Sequence, residues 1–310
     1  MYDPTKPNKK EILDLVVQTW NTPHVSVEGN LVVKKFSFPE YHHSDGIGTK
    51  GLYLWKSRGF KQAVTDALAM NLNDLLVVGA TPYALVDHII IPRDDRQTIY
   101  EIMSALVDEC KKRNLAITGG ETAIHNDFDS MEISISMLGF VERRRLNQFR
   151  AGDVLVGLES NGLHASGFTK IREVFGRSTR PEFIKPTFIY WDSVFPLLGS
   201  CSIQGMVNIT GGAFSRFKGL LDNVDLIISR DHSIEPQKIF YDLYTKGISD
   251  EEMYKTFNCG IGFVVALPRM WVDEFIHKIR PLRGSIIGEL TAGQGRIIIQ
   301  SKFSDTSVVY

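Results

Sequence analysis

Apolar and polar residues recur along the chain in patterns that predict both helices and strands in each half. Residues 11–20 have helical spacing, residues 60–78 read as a long helix with few breakers, and a further helix is expected over 95–113. The strand patterns of the first half are two short runs at 24–27 and 31–36, YALVDHIII at 83–91, LAITGGET at 115–122 ending in two glycines, and MEISISMLGFV at 131–141.

The charged stretch ERRRLNQFRAGD, residues 142–153, interrupts this pattern and predicts a domain boundary. We expect one domain over residues 1–149 and a second over 150–310. The second half starts with the strand VLVGL and a helix after Ser166. Its further strands are expected near 205–210, 224–229, 261–266 and 284–290, separated by helical patterns of ten to fifteen residues. The predicted class is therefore α+β, and a strand running into Thr-Gly-Gly in each half, at 118–120 and 210–212, hints at a duplicated design.

Composition narrows the functional classes. The 310 residues are 43% hydrophobic, and 35 basic side chains against 36 acidic ones leave a net charge of -1, so no general attraction to nucleic acid or anionic membrane is expected. Three widely spaced cysteines argue against a disulfide framework and a zinc site. The opening MYDPTKPNKK has no apolar signal region, and no run of 18 apolar residues occurs. We expect a cytoplasmic protein with small-molecule partners and neither nucleic acid nor membrane as a partner.

The stretch DGIGTKG, residues 45–51, carries glycines at dinucleotide-loop spacing. Its polar approach FPEYHHS and the position of Asp66 inside a helical pattern disfavour a Rossmann loop, and no P-loop motif occurs in the chain. Two interpretations stay open. The glycines let backbone approach phosphate oxygens while Asp45 holds Mg²⁺ and Lys50 neutralises transferred charge, or the stretch is a tight turn capped by Asp45.

Polar side chains interrupt the apolar helix pattern that follows. Asp66 and Asn73 lie on one helical stripe, and Asp74 lies one step around it. Buried carboxylates are paired, hydrogen-bonded or bound to metal, and hard oxygen ligands suit Mg²⁺; Glu121 in TGGET is a further candidate ligand. The alternatives are that Asp66 is a cap or pairs with a basic residue such as Lys61, and that Glu121 caps the next segment.

Six stretches together carry a resemblance. They are DGIGTK (45–50), DALAMNLNDLLVVGATP (66–82), ITGGETA (117–123), GDVLVGLESNGLHASGFTKIREVF (152–175), NITGGAF (208–214) and MYKTFNCGIGFVVALP (253–268). In order and content the chain resembles the aminoimidazole ribonucleotide synthetase family from about residue 45 to 290. The resemblance implies a two-domain fold with a β-rich N-terminal half that closes a barrel in a homodimer and an α/β C-terminal half. It also implies ATP, Mg²⁺ and formylglycinamidine ribonucleotide as substrate.

The resemblance also implies roles for individual residues. Lys50, Asp74 and His164 match catalytic positions, although a buried structural role for His164 stays open, and Asp45, Asp74 and Glu121 match metal positions. Cys259 is interpreted as a packed side chain, and Phe188 stands where the family commonly has an arginine. The ATP- and phosphate-binding positions are Asp45, Gly46, Gly48, Thr49, Asp66, Asn73, Gly119, Gly120, Thr122, Thr210, Gly211, Gly212 and Asn258.

Rival functions share this architecture. A selenophosphate synthetase usually has a cysteine near its N-terminus, whereas the first cysteine here is Cys110, and the hydrogenase maturation factor needs a C-terminal cysteine, whereas this chain ends SVVY. Another ATP-using member of the superfamily and a non-catalytic nucleotide-binding homologue stay as alternatives. The joint presence of Asp45, Asp74 and Glu121 argues against the non-catalytic one.

Overall fold

The chain divides into two compact units, each built around its own β-sheet. The computed structural model describes residues 9–29 and 31–310. The first unit contains the described residues up to Leu75, Ala80–Arg144 and Arg177–Pro186, and the second contains Leu76–Gly79, Arg145–Gly176 and Thr187–Tyr310. The predicted boundary at 149/150 lies close to the division at Arg144, whereas the assignment of 177–186 to the first unit was not predicted. Residues 1–8, on which the expectation of no secretion signal depends, lie outside the described residues.

The helices and strands up to residue 140 largely follow the predicted order. They are α1 (Lys9–Val16), β1 (Val25–Glu28), β2 (Leu31–Lys34), β3 (Glu40–Gly46), α2 (Gly51–Lys56), α3 (Phe60–Val78), β4 (Thr81–Ile91), α4 (Arg96–Lys112), β5 (Ala116–Ile124) and β6 (Glu132–Phe140). The helix predicted over 60–78 is confirmed at both ends. The sequence did not predict β3, because EYHHSDG has no alternation of apolar and polar residues. The prediction that β5 ends at its two glycines is wrong, since the strand runs on to Ile124.

Strands β3 to β6 form a four-stranded sheet in the order β3-β6-β4-β5. The pair β4 and β5 is parallel and connected through α4, while β6 pairs antiparallel with both β3 and β4. One face, here called the inner face, carries the fully buried Leu85, Ile135 and Met137. The opposite, outer face carries the exposed Val86 and Ser136. This alternation decides which polar side chains of the strands share a surface.

Local sequence signals explain where the two long helices begin and end. Helix α4 starts at Asp95, whose side chain accepts a hydrogen bond from the Thr98 N–H at 3.2 Å, a standard N-cap. Helix α3 is buried on most sides, and it stops at Gly79, which has a positive φ of 70°. The Ala80 N–H returns to the Leu75 carbonyl at 3.0 Å, which satisfies one of the last helical acceptors.

The second unit contains shorter helices than the sequence predicts. Its elements after the end of α3 are β7 (Val154–Glu159), α5 (Phe168–Phe175), α6 (Trp191–Val194), β8 (Gly205–Asn208), β9 (Val224–Ile228), α7 (Lys238–Tyr244), α8 (Asp250–Thr256), β10 (Ile261–Leu267), α9 (Val272–Lys278), β11 (Gly284–Ala292), β12 (Ile297–Gln300) and β13 (Ser307–Val309). The predicted strands are confirmed, and β12 and β13 are additional. The prediction of helices of ten to fifteen residues is wrong. Helix α5, for example, has 8 residues and ends at Gly176, which has a positive φ of 62°.

The strands of the second unit form one seven-stranded sheet in the order β13-β12-β9-β11-β7-β10-β8. Neighbours pair antiparallel except β12 and β9, which are parallel. Its core includes the fully buried Val156, Leu158, Phe263 and Val265. The two units, each of which combines a mostly antiparallel sheet with helices, confirm the predicted α+β class. Over the residues that the structure describes, no helix is long and apolar enough to cross a membrane.

Candidate active site

A polar cluster lies where the end of β3 meets α3 in the first unit. His43 and Asp45 point to the inner face of the sheet, and Asn71 comes from the helix. The Asn71 side chain donates from Nδ2 to the main-chain carbonyls of Asp45 at 3.1 Å and Ala67 at 2.9 Å. Its Oδ1 lies 2.9 Å from His43 Nδ1. Since an amide oxygen only accepts, His43 Nδ1 carries the proton in this contact.

Asp74 joins this cluster through the other side of the His43 ring. Nε2 lies 3.2 Å from Asp74 Oδ2, with 23% and 16% of the two side chains exposed. The hydrogen bond to Asp74 is the largest influence on His43 and raises its pKa, with Asn71 acting in the same direction and burial opposing both. The predicted residues Asp45 and Asp74 are thus connected through His43 and Asn71, neither of which the sequence singled out.

Lys50 and Asp66 form a fully buried ion pair in the same unit. Lys50 Nζ lies 2.7 Å from Asp66 Oδ2, with neither side chain exposed, and it donates to the Lys185 carbonyl at 2.6 Å. Burial lowers the pKa of Lys50, while the adjacent carboxylate opposes that change. The alternative that Asp66 pairs with a basic residue is confirmed, but that residue is Lys50 and not Lys61, which was given as the example. The pair ties the segment after β3 to α3.

The glycines at 46–51 are required by contacts within the chain. A side chain at Gly46 would collide with Glu132 and Ser134, and one at Gly51 would overlap the Met131 carbonyl. Gly48 has a positive φ of 52°, and its N–H donates to Glu132 Oε1 at 3.2 Å. The Gly46 N–H donates to Asp45 Oδ1 at 2.7 Å, which fits the capped-turn interpretation. Thr49 lies in the 3-10 helix Gly48–Lys50 that follows.

Glu132 is a carboxylate that the sequence analysis missed. Burial raises its pKa, and the Gly48 N–H opposes that change. Its position at the start of β6, directly opposite the glycine segment, comes from strand pairing and has no local sequence signal.

Glu121 lies at the far edge of the sheet from Asp45. The strand order places β3 and β5 three interstrand spacings apart, about 14 Å at about 4.8 Å each. Register also places Glu121 in the row of Gly46 and His88, adjacent to the row of Asp45, so the two side chains project from opposite faces. The chain by itself therefore does not bring Asp45, Asp74 and Glu121 around one ion. In residues 9–29 and 31–310, no group of three His, Cys, Asp or Glu side chains could hold a metal.

Asp87 is a second carboxylate that the sequence analysis missed, although it interrupts the apolar run YALVDHIII. It pairs in register with Gly120, whose missing side chain leaves room for the Asp87 carboxylate: a Cβ there would lie 2.7 Å from Cγ. The residue is 6% exposed, and its Oδ2 has no hydrogen-bond partner in the described structure. Burial raises the pKa of Asp87 to about 7, and the charge of Glu121 acts in the same direction.

In the second unit, His164 is buried in the loop after β7. It is 1% exposed, has a positive φ of 60°, and its ring packs edge-on against Phe188 with centroids 6.0 Å apart. A side chain at Gly262 would come within 2.5 Å of His164 Cε1. Phe188, which stands where an arginine was expected, is thus part of an aromatic environment around the histidine.

Asn258 joins two loops of the second unit by a neutral hydrogen-bond network. Its Nδ2 donates to the Gly162 carbonyl at 2.8 Å, while its Oδ1 accepts from Ser160 Oγ and from the Gly260 N–H, both at 2.9 Å. The side chain predicted to contact phosphate is therefore already used between the loops at 160–162 and 258–260. Neighbouring Cys259 is buried, which raises its thiol pKa and agrees with a packing role.

The predicted cradle Thr210–Gly212 opens onto a groove of the second unit. Thr210 Oγ1 accepts a hydrogen bond from Arg216, and Gly212 has a positive φ of 82°. The groove has a volume of about 580 Å³ and is lined by Gly167, Gly211, Gly212, Ser215, Ser249, Glu251, Glu252, Lys255 and Thr256. Its size and its glycine wall suit a small polar ligand.

Comparisons with known proteins bear on both units. Residues 41–141 match the model of the AIR synthase related protein, N-terminal domain, and residues 150–300 match that of the C-terminal domain. The phosphoribosylformylglycinamidine cyclo-ligase of Saccharolobus solfataricus is 36% identical over 256 residues, covering 80% of this chain and 77% of that protein. That of Methanococcus vannielii is 30% identical over 287 residues, covering 86% and 81%.

Solved structures extend the likeness to the whole fold. The hydrogenase maturation protein HypE of E. coli aligns with a TM-score of 0.71 at 15% identity, covering 97% of this chain and 96% of that chain. Thiamine-monophosphate kinase from Stenotrophomonas maltophilia aligns with a TM-score of 0.70 at 14% identity, covering 97% and 98%. At such identities these structures show the fold alone. The matches to both domain models, which together span most of the sequence, show that the chain belongs to the AIR synthase related protein family.

Proposed function

We propose that the chain is an ATP-dependent cyclo-ligase of purine biosynthesis, which converts formylglycinamidine ribonucleotide to aminoimidazole ribonucleotide. The observation that carries this function is the identity of up to 36%, over 80% of the chain, with relatives that bear the cyclo-ligase name. The rival kinase and maturation activities rest on structures at 13–16% identity, which are similar in fold only. A non-catalytic role is opposed by the carboxylates and the polar cluster of the first unit.

The proposed reaction requires that the formyl oxygen of the substrate be converted into a good leaving group. A formyl oxygen is a poor leaving group, so the γ-phosphoryl group of ATP is first transferred to it. An amidine nitrogen then attacks the activated carbon, the ring closes, and the oxygen leaves in inorganic phosphate. Phosphoryl transfer of this kind depends on positioning and on charge neutralisation by the protein.

Asp45 and Asp74 are the residues we assign to Mg²⁺. Mg²⁺ is usually held by one or two carboxylates, with phosphate oxygens and water completing the shell, so this pair fits it without a third protein carboxylate. When bound, the ion supplies positive charge next to the transferred phosphate. Glu121, predicted as a third ligand, projects from the outer face and is not assigned to the same ion.

The remaining predicted residues of the first unit position the segment that carries Asp45. Lys50 acts through its buried pair with Asp66, which holds the glycine segment against α3. Asn73 is also buried in α3. We assign the backbone of Gly46, Gly48 and Thr49 to the phosphates of ATP, and Gly119, Gly120 and Thr122 to a second phosphate-facing strand.

The second unit is assigned to the substrate. Gly211 and Gly212 line the groove of about 580 Å³, and with the preceding Thr210 they suit a phosphate group through their backbone. Asn258 keeps the loop at 160–162 in place through its hydrogen bond to the Gly162 carbonyl. We assign a structural role to His164, which is buried in that loop region and packs against Phe188.

The protein is proposed to work as a homodimer in the cytoplasm. The outer face of the four-stranded sheet leaves Val86 38% exposed, together with Ser136 and the charged Glu121. A dimer in which two copies of this sheet close a barrel would bury this face and cover the edge strands β3 and β5. Light scattering is expected to give twice the chain mass of 34.9 kDa. A stable monomer at micromolar concentration would rule out this arrangement.

An isotope experiment tests the chemistry. Substrate with heavy oxygen in the formyl group should yield labelled inorganic phosphate, one atom for each ring closed, and unlabelled ADP. A simple ATPase would take the oxygen from water, and a kinase would release no phosphate. Unlabelled phosphate with normal ring formation would exclude the phosphorylated-amide route. ADP without ring product would favour another member of the superfamily.

A further inference from the structure

His43 contacts both the predicted metal carboxylate Asp74 and Asn71, which anchors β3. Its ring lies between Asn71 Oδ1 at 2.9 Å and Asp74 Oδ2 at 3.2 Å. We propose that His43 is a positioning residue for Asp74, which sets the direction of its carboxylate and thereby the affinity of the site for Mg²⁺. The inference rests on the proposed function, in which Asp74 is an ion ligand.

The orientation of the ring follows from the main chain. Asn71 donates its two amide protons to the carbonyls of Asp45 and Ala67, which fixes Oδ1 toward the histidine. That contact holds Nδ1, so Nε2 is directed at Asp74. A continuous chain of contacts thus runs from the backbone of β3 through Asn71 and His43 to the carboxylate.

The same contacts connect both proposed ligands. Asp45 and His43 lie two residues apart on the inner face of β3, and Asn71 and Asp74 lie one turn apart on α3. Asn71 bonds the main chain of Asp45, and His43 bonds the side chain of Asp74. Asn71 and His43 therefore connect the main chain of Asp45 to the carboxylate of Asp74 across the strand and the helix.

Groups that orient metal-binding carboxylates typically contribute roughly 10- to 100-fold to metal affinity. For His43→Ala we expect the half-saturating Mg²⁺ concentration to rise by about that factor, while the rate at saturating Mg²⁺ falls much less. His43→Gln, which keeps a donor of similar reach, should recover part of the affinity. If His43 instead competes with the ion for Asp74, its removal would tighten Mg²⁺ binding.

The measurement is calorimetric titration of Mg²⁺ into the full-length protein saturated with a non-hydrolysable ATP analogue, beside thermal melting of each variant. The matched control is His42→Ala: this histidine is the direct neighbour, its side chain is 69% exposed, and it faces away from Asp74 toward Glu40. We expect wild-type Mg²⁺ binding for this control.

The outcomes separate the inference from the function on which it rests. If Asp74→Asn binds Mg²⁺ like the wild type, the assignment of Asp74 as a ligand fails. If Asp74→Asn loses binding but His43→Ala and His43→Gln both bind normally, the positioning role alone fails. Tighter Mg²⁺ binding by His43→Ala also overturns it. Should His43→Ala not fold, the His43→Gln titration decides, with weakened binding supporting the role and normal binding overturning it.

Discussion

The tripeptide Thr-Gly-Gly occurs in both units and adopts a different structure in each. In the first unit Gly119 and Gly120 lie inside β5, paired with Val86 and Asp87 of β4. In the second unit Thr210–Gly212 follow β8 and form a turn, with Gly212 at a positive φ of 82° before a short 3-10 helix. The second glycine is needed in both, but for different physical reasons.

The difference comes from the neighbours of each motif. Gly120 leaves room for the buried carboxylate of Asp87, whereas no described atom lies within 4 Å of a Cβ built on Gly211. The first unit places one buried carboxylate, that of Asp87, against its motif, whereas the second unit stabilises the loops at 160–162 and 258–260 by neutral hydrogen bonds of Asn258. The same local sequence therefore serves as a packing site in one unit and as an open turn in the other.

The largest expected effect concerns the buried carboxylate behind the first motif. The pKa of Asp87 is raised to about 7 in the folded state from an ordinary value of 3.8. At a pH below the pKa of the unfolded state, Asp87 is protonated in both the folded and the unfolded state, and its burial costs no ionisation free energy. As pH rises toward 7, the unfolded state ionises first and stability is lost, by an amount on the order of 4 kcal/mol at about 1.4 kcal/mol per pKa unit.

Asp87→Asn tests this, since it removes the ionisation at nearly constant shape. Relative to wild type, the variant should gain stability between pH 4 and 8 in urea unfolding. A difference that does not change with pH would contradict the prediction.

Asp225 is the matched opposite case. Arg296 holds the pKa of Asp225 down at about 2, so this carboxylate stabilises the fold above its unfolded pKa, and that stabilisation is lost as pH falls. Asp225→Asn should therefore cost stability at neutral pH and less in acid.

The next effect is steric and separates the two glycines of the first motif. Gly120→Ala places a methyl group against the Asp87 carboxylate and should cost up to about 3 kcal/mol, because the buried carboxylate has to shift. Gly119→Ala is the matched control, because its Cβ would lie 3.5 Å from Val86 in ordinary contact. Adding Asp87→Gly to the Gly120→Ala variant should restore part of the loss. Equal costs for the two alanines would exclude the collision as the cause.

The ends of helix α3 could be predicted from the sequence, whereas strand pairing could not. Helix α3 was predictable to its ends, because its apolar run is long and is followed by Gly79. Strand pairing was not predictable: the distance between Asp45 and Glu121 follows from the order β3-β6-β4-β5, which no local pattern encodes. The carboxylate of Asp87 against Gly120 depends on the same pairing.

The residues of the candidate site also fall into those that the sequence predicted and those that only the packing of strand and helix reveals. Motif spacing pointed to Asp45, Lys50 and Asp74, and the structure places all three where β3 and the following segment meet α3. His43 and Asn71 belong to no glycine or carboxylate motif, and they become visible only when strand and helix pack together. The available signal was a buried amide on an apolar helix, which needs a partner.

Breaking the neutral hydrogen-bond network of Asn258 should change the free energy of unfolding by an amount that does not depend on pH. Asn258→Ala removes contacts to the Gly162 carbonyl, Ser160 and the Gly260 N–H, and we expect a loss of about 2 kcal/mol because buried partners are left unsatisfied. Unlike the Asp87 effect, the loss should be the same at pH 5 and pH 8. Asn126→Ala, at an exposed position, is the control and should stay near wild type. A pH-dependent loss would mean that charge reaches this network.

The smallest effect tests the second motif, where backbone conformation and not collision demands glycine. At a φ of 82°, an L side chain is strained by about 1 kcal/mol, so Gly212→Ala should lower stability by about that amount. Gly212→Asn should cost less, because asparagine tolerates the left-handed region. Gly211→Ala should be neutral or slightly stabilising, since space is open there and alanine restricts the unfolded chain. Shrinking neighbours such as Ser215 to alanine should not rescue Gly212→Ala, whereas in the first motif the shrunken Asp87 restores stability. If Ser215→Ala did rescue it, both motifs would be limited by packing and the distinction between them would fail.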